Sequence, residues 1–448
     1  MKLYDKSLTF YENGKTLTLL SLATPKFFQI LFERFLLTIN SAMLSNAAEE
    51  AVAATSVANQ VYSLVTTALD LFAFGAAILV SLSLGRGDRH AAGRITFITL
   101  LSALAFSLPV GLLLSAYAEP VLSLMNADAE TLALSVRFFV IKTLYLPLTV
   151  LSATLSSLLI CNAHVFISFF NAIFTGIASI AFNYLFLYTG LAIEPVVAVA
   201  MATLIVTALS VAMKLVFFIL LRCPFTLGFS LSDFKNLFAY GLPGKMSLIA
   251  YTFATTITTS FIASMGKKFV NAKVYVGNIT GYVHLFSDAI AGAGTILIGR
   301  FRGAKNEAFI GKLYRQNVLW ACSLNVLAAI LAYLFRRPLI SIFTRNEEVL
   351  ALTGSVMLID IFVELFRAIN MVSEQGLNAC GEVKTTMLVS TISCWGISVL
   401  LAFVFGVLCK LGLVGIWLGF LSDEMARSIF YLFRWKARIR KMNACQAQ

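Results

Sequence analysis

The chain has 448 residues, of which 59% are hydrophobic and only 12% charged, and it carries a net charge of +12. A soluble domain is about a quarter charged, and a water-facing surface of this size needs far more polar side chains than these. A soluble enzyme, a nucleic-acid binder and a disordered chain are thereby excluded, while the apolar residues suffice for about twelve membrane helices of roughly 20–25 residues each.

The first sixteen residues are mixed polar and no short apolar stretch with a small-residue cleavage site follows, so no cleaved signal peptide is expected. Apolar runs between charges and Gly/Pro punctuation then predict spans over 17–43, 52–84, 92–117, 131–160, 165–189, 191–221, 237–265, 270–300, 313–335, 347–378, 385–409 and 411–434. The second, fourth, eighth and tenth are longer than a hydrocarbon layer of about 30 Å requires, so they should tilt, bend or project into water. Ten-residue alternation of the kind a barrel needs is missing, and helices alone satisfy their backbone polar groups within one segment. Seven cysteines fall singly without a C-x-x-C pair, which argues against a disulfide framework or a zinc site.

Lys and Arg fix the expected orientation. With residues at span ends counted in the adjoining loop, nineteen lie on the side of the termini and even-numbered loops, against seven on the other side. Both termini are therefore expected in the cytoplasm, with Arg434, Lys436, Arg438, Arg440 and Lys441 along the anionic inner leaflet. Eight basic residues remain inside spans: Lys26, Arg34, Arg137, Lys142, Lys214, Lys245, Arg367 and Arg427. They are matched by eight acids: Glu33, Asp70, Asp288, Asp360, Glu364, Glu374, Asp423 and Glu424. Each midplane charge costs at least ~2.5 kcal/mol to insert, so such a set demands a polar interior screened from lipid.

The two halves match at a single offset of 218 residues. Pro25 falls on Pro243, Ile78-Leu79-Val80 on Ile296-Leu297-Ile298, Gly85 on Gly303, and Pro120-Val-Leu-Ser-Leu on Pro338-Leu-Ile-Ser-Ile. Copies of six helices enter the membrane from the same side. The expected fold is an all-α polytopic membrane protein with twelve transmembrane helices in two pseudo-symmetric six-helix bundles around a central cleft. The expected domains are an N-terminal lobe over 1–221, a cytoplasmic linker over 222–236, and a C-terminal lobe with a basic tail over 237–448.

Several segments carry a resemblance to a known family. They are Ala23-Thr24-Pro25, Asn40-Ser-Ala-Met-Leu followed by Glu50-Ala-Val-Ala-Ala, the turn Leu84-Gly-Arg-Gly-Asp88, Gly241-Leu-Pro243, Arg302-Gly-Ala304 and Leu377-Asn-Ala-Cys-Gly-Glu382. In this order, across twelve spans and a repeat, they resemble the multidrug and toxic compound extrusion (MATE) transporters of the wider multidrug/oligosaccharidyl-lipid/polysaccharide exporter superfamily. The resemblance implies cation-driven export of amphipathic, often cationic compounds by rocking of two lobes. It also implies a cation-binding Asp fifteen residues after the first Pro, where this chain has Asn40, and an acid in span seven, where it has Tyr251. Asn40 can ligate sodium through its carbonyl but cannot carry a proton; Glu33, two turns earlier on much the same face, is the expected substitute.

An exporter driven by an ion gradient needs a group that binds the ion facing one side and releases it facing the other, and a buried carboxylate suits H+ or Na+. Asp70 and Asp288 are repeat mates near the middle of spans two and eight, and His284 precedes Asp288 by one helical turn, so an imidazole–carboxylate pair is expected there. In span ten Asp360, Glu364, Arg367 and Glu374 share one face, leaving surplus negative potential for a cationic cargo or a coupling ion. Asp423, Glu424 and Arg427 lie close to the cytoplasmic end of span twelve, where solvation is the simpler expectation.

The function expected is secondary active efflux of amphipathic, cationic compounds in exchange for H+ or Na+ by a monomer in the plasma (inner) membrane. No cofactor beyond the coupling ion is expected, and the partners are a small-molecule cargo and the bilayer. The alternative is a flippase for a lipid-linked saccharide or another anionic precursor, which needs a strongly basic cavity. Neither a phosphate-binding loop nor a nucleophile elbow occurs, so the chain is not expected to be an enzyme.

Overall fold

A computed structural model describes residues 8–12, 15–125, 128–189 and 194–446. The expected start of span six at 191 lies outside these residues. A two-stranded antiparallel hairpin, Phe10–Glu12 with Lys15–Leu17, precedes span one. The first lobe's spans are Leu19–Ala47, Glu49–Leu69 with Leu71–Gly85, Arg89–Ala116, Ala129–Leu144 with Leu146–Cys161, Val165–Tyr188 and Pro195–Leu220. Those of the second are Leu231–Ser264, Lys267–Val283 with Leu285–Gly303, Glu307–Leu334, Glu347–Ala379, Val383–Ser393 continued by π-helical turns to Leu408, and Gly412–Gln446.

Among the described residues nine helices are long and apolar enough to cross a membrane, or eleven when each of two bent pairs counts as one span. The bends are 52° in span four and 43° in span eight, in line with the excess length of those segments. The twelfth helix, Gly412–Gln446, has Asp423, Glu424 and Arg427 within its apolar stretch.

The offset of 218 is written into the backbone. Arg89–Ala116 and Glu307–Leu334 are related by it at both ends, as are the short helices Ala118–Ser123 and Arg336–Ser341. The turns closing spans two, four, eight and ten use one device. The residue after the last helical turn adopts positive φ (Gly87 78°, Ala163 66°, Lys305 56°, Gly381 93°). The next N–H reaches back five residues, from Asp88 to Ser83 O at 3.1 Å and from Glu382 to Leu377 O at 3.0 Å. These are Schellman closures, in which the left-handed residue satisfies carbonyls that the helix end leaves open. The turn motifs read from sequence are these closures.

The chain divides into two compact units, 28–245 and a second made of 1–27 with 246–448. The dividing points, 27 and 245, are again 218 apart, so each unit contains the opening segment of the other lobe's first helix. Within 28–245, Gly241 lies against the Leu71 backbone and a Cβ on Gly75 would come within 2.7 Å of Leu237 O, so glycine is required for so close a crossing. Phe74 covers Gly244 in that unit, and Lys26 covers Gly292 in the other. These are the same two repeat positions with the large and small residues exchanged.

Candidate functional site

Span ten crosses the second unit with four ionisable side chains at helical spacing, and span twelve runs parallel beside it with three more. Parallel packing gives contacts at a fixed sequence separation. Trp417 Nε1 donates to Asp360 Oδ1 at 2.9 Å, and Arg367 Nε donates to Glu424 Oε1 at 3.3 Å; both pairs are 57 residues apart. Arg367 also pairs with Glu364 one turn earlier, and Asn325 of span nine donates to the other Glu364 oxygen at 3.2 Å. Arg427 bridges Asp423 at 2.8 Å and Glu424 at 3.1 Å. Asn370 Nδ2 reaches Glu424 Oε2 at 2.6 Å, and Ser393 of span eleven donates to Asp423 at 2.5 Å. Glu374 accepts from Ser390 at 3.1 Å and from Ser247 of span seven at 3.5 Å.

Most of the network is buried, with Glu364 0% exposed, Asp423 2%, Asp360 and Glu424 5% each and Arg427 8%, while Arg367 and Glu374 are partly exposed. Five carboxylates therefore face two guanidiniums. Were all five ionised, three negative charges would lack a fixed partner in a region where an uncompensated charge is costly. Such a cluster can hold exchangeable protons or small cations. The expectation that Asp423, Glu424 and Arg427 are solvated is not met. Span eleven's Ser393 and span ten's Arg367 and Asn370 enclose them, a tertiary effect that position along the chain does not reveal.

In the first unit Asp70 occupies the break between the two halves of span two, and Lys245 Nζ binds its Oδ2 at 2.6 Å. Asn40 is tied to span five: its Nδ2 donates to Ser179 Oγ at 3.0 Å, and its Oδ1 accepts from Asn183 at 3.0 Å. Glu33 accepts from Gln29 at 3.0 Å on an exposed stretch of span one. Asn40 and Glu33 thus have different partners and do not share a hydrogen bond.

In the second unit span eight breaks at His284, one turn before Asp288. The Asp288 N–H makes the ordinary i→i+4 helical bond to His284 O at 3.1 Å, and among the described residues no bond joins the imidazole to the Asp288 carboxylate. The repeat mates also differ in setting, since Asp70 sits at a helix break with a lysine and Asp288 lies four residues past one.

A MatE family model matches this chain twice, over residues 25–185 and 243–404. The chain belongs to the MatE family. The two matched stretches begin at Pro25 and Pro243, the offset that relates the halves. Similar proteins include the uncharacterized transporter YisQ of Bacillus subtilis (strain 168), 29% identical over 433 residues and 95% of each chain. A probable multidrug resistance protein NorM of Halalkalibacterium halodurans is 20% identical over 412 residues and 90% of each. A crystal structure of MATE in the bent conformation shares the fold at TM-score 0.89 and 17% identity, over 96% of both chains. A MOP superfamily transporter from Pyrococcus furiosus does so at TM-score 0.85 and 18% identity, over 95% of this chain and 96% of that one. This MATE protein is a multi-pass membrane transporter, from a family of transporters rather than enzymes.

The residues that sequence reading of this MATE protein missed are neutral ones: Asn325, Asn370, Ser393 and Trp417 hold the buried carboxylates yet carry no charge to draw attention. A signal exists for some of them. Spans ten and twelve run parallel, so aligning their polar positions at one separation pairs Asp360 with Trp417 and Arg367 with Glu424.

Proposed function

We propose that this transporter exports amphipathic, cationic compounds across the plasma membrane in exchange for H+ or Na+, as a monomer with both termini in the cytoplasm. The observation that carries the reading is the buried excess of carboxylates over guanidiniums along spans ten and twelve. Cations must balance that excess, and a group that must be balanced is one whose occupancy can be coupled to a conformational equilibrium. Asp360, Glu364 and Glu374 are the coupling groups in this scheme, with Arg367 setting how much negative charge remains. Asp70, held by Lys245, and Asp288 are further ion-responsive positions. Relatives named as probable multidrug resistance proteins support the cargo class.

A flippase for an anionic lipid precursor is the weaker reading. Of Lys142, Lys214, Lys245 and Arg367, which would have to converge to form a basic cavity, Lys245 is paired with Asp70 and Arg367 lies among acids. The test is dye transport by the purified protein in proteoliposomes with pH and sodium gradients imposed separately. Efflux of cationic dyes under either gradient is expected. Movement of a fluorescent lipid-linked sugar alone would overturn the proposal.

A further inference from the structure

The segment after span six carries an apolar comb. Arg222 closes that span at φ 50°, with the Cys223 N–H reaching back to Phe218 O at 3.2 Å. Residues 223–230 then run without helix or strand. Cys223 and Pro224 are buried, and from there exposure alternates along the chain. Phe225 is 50% exposed, Leu227 75%, Phe229 60% and Leu231 57%, while Thr226, Gly228 and Ser230 between them are half-buried. Alternation with a period of two is what an extended chain lying on a surface produces, but the large apolar side chains are the outward ones.

The inward residues dock on the first turns of span three. A Cβ on Gly93 would come within 2.5 Å of Thr226 Oγ1, and a Cβ on Gly228 would lie 3.7 Å from the Arg94 stem. Arg94 pairs with Asp233 at 2.7 Å, and Ser230 O accepts from the Phe234 N–H at 3.0 Å. The Phe97 and Phe225 rings meet edge to face at 5.8 Å. Packing within residues 28–245 therefore fixes the direction in which the comb points.

Its depth follows from span three. Arg94 is the last charge before residues 95–116, which carry none, so the boundary between hydrocarbon and headgroups falls near Arg94. The comb touches span three at that level. At its start it continues the exposed apolar face of span six, formed by Val216, Ile219 and Leu220. Exposed Arg222 and Lys235 bracket it, and exposed Arg86 and Arg89 stand in the turn leading into span three. No carboxylate pairs with these four among the described residues. Large apolar side chains exposed together mark an interaction surface, and a basic border around them fits an anionic lipid surface.

We infer that residues 225–231 form an interfacial lipid anchor. Phe225, Leu227, Phe229 and Leu231 dip between phospholipid acyl chains at the headgroup boundary, and the basic border lies at the phosphates. The segment expected as a cytoplasmic linker is then part of the membrane-bound surface. In the orientation proposed for this transporter the leaflet is the inner one; lipid contact itself depends neither on that orientation nor on transport.

The test places the full chain in vesicles of phosphatidylcholine and phosphatidylglycerol, with Leu227→Trp or Phe229→Trp at exposed sites. Subtracting the wild-type emission removes the four native tryptophans. Lipids brominated beside the headgroup should roughly halve the added emission, because an indole settles at that level. Lipids brominated at the chain end should quench it less, and aqueous iodide hardly at all. Strong iodide quenching without bromolipid quenching would place the comb in water and overturn the inference. Emission insensitive to both quenchers would show that protein, such as a second copy of the chain, covers the comb, which overturns it as well. Chain-end quenching that exceeds headgroup quenching would do the same. Should Leu227→Trp fail to fold, Phe229→Trp alone decides.

Discussion

Arg367 is the residue on which the buried network depends most, and Arg367→Met is the most informative perturbation. The methionine keeps the length of the stem but removes both of the guanidinium's ion pairs, with Glu364 and with Glu424 at 3.3 Å. Glu424 retains Arg427 at 3.1 Å and Asn370 at 2.6 Å. Among the described residues Glu364 retains only Asn325 at 3.2 Å, and it is 0% exposed, so the cost falls mainly on it. Removing one partner of a buried ion pair costs about 3–5 kcal/mol, or roughly 6–10 °C at about 2 °C per kcal/mol for a cooperative unit of some 200 residues. The assay is the temperature at which the monodisperse peak disappears in fluorescence-detected size-exclusion chromatography. Adding Glu364→Gln should recover most of the loss, because a neutral amide can still bond Asn325 and leaves no buried charge. Arg367→Met within about 1 °C of wild type, or a double variant no better than the single one, would refute the reasoning that this charge balance holds the lobe together.

Gly241→Ala should cost about 1–3 kcal/mol, because its Cβ would collide with the Leu71 backbone. Gly277→Ala, on an exposed helix position with nothing within 4 Å, should be neutral or stabilise by up to about 1 kcal/mol; the same thermal assay separates the two. Ala163→Gly should stabilise by about 1 kcal/mol, since Ala163 adopts φ 66° where its repeat mate is Gly381, and a lower midpoint would contradict this. Asp70→Asn should abolish dye efflux while shifting the midpoint by no more than about 2 °C, because its pair with Lys245 is partly exposed and such pairs contribute about 1 kcal/mol or less. Normal efflux would remove Asp70 from the coupling mechanism.

Much of the architecture was legible because it depends on local chemistry. Apolar runs gave the helices, and one offset gave the repeat, down to the positive-φ residues Gly87 and Lys305 that close spans two and eight. Excess length predicted the bends in spans four and eight but not where they fall. The break at Tyr145 is marked by Pro147 at the start of the following half-helix, whereas none of residues 282–286 is a proline or glycine to mark the break at His284. The span-ten stripe was readable from helical spacing alone. Its second half was not, because burial of Asp423, Glu424 and Arg427 is decided by the parallel packing of span twelve on span ten. Asn40 and Glu33 share a helical face on paper; Asn40 is nevertheless tied to Asn183 and Ser179 of span five, a contact set by tertiary packing.

Coupling between cargo and cation is reciprocal. An imposed cargo gradient should therefore drive cations the opposite way. With a cationic dye loaded on one side of proteoliposomes and no ion gradient, the wild type should move H+ or Na+ counter to the dye, detected by an entrapped pH or sodium indicator. Asp360→Asn/Glu364→Gln should move dye without moving cations, or neither. Dye movement by the wild type with no cation countermovement, or countermovement undiminished in the double variant, would contradict a mechanism in which these buried carboxylates bind and release the coupling ion.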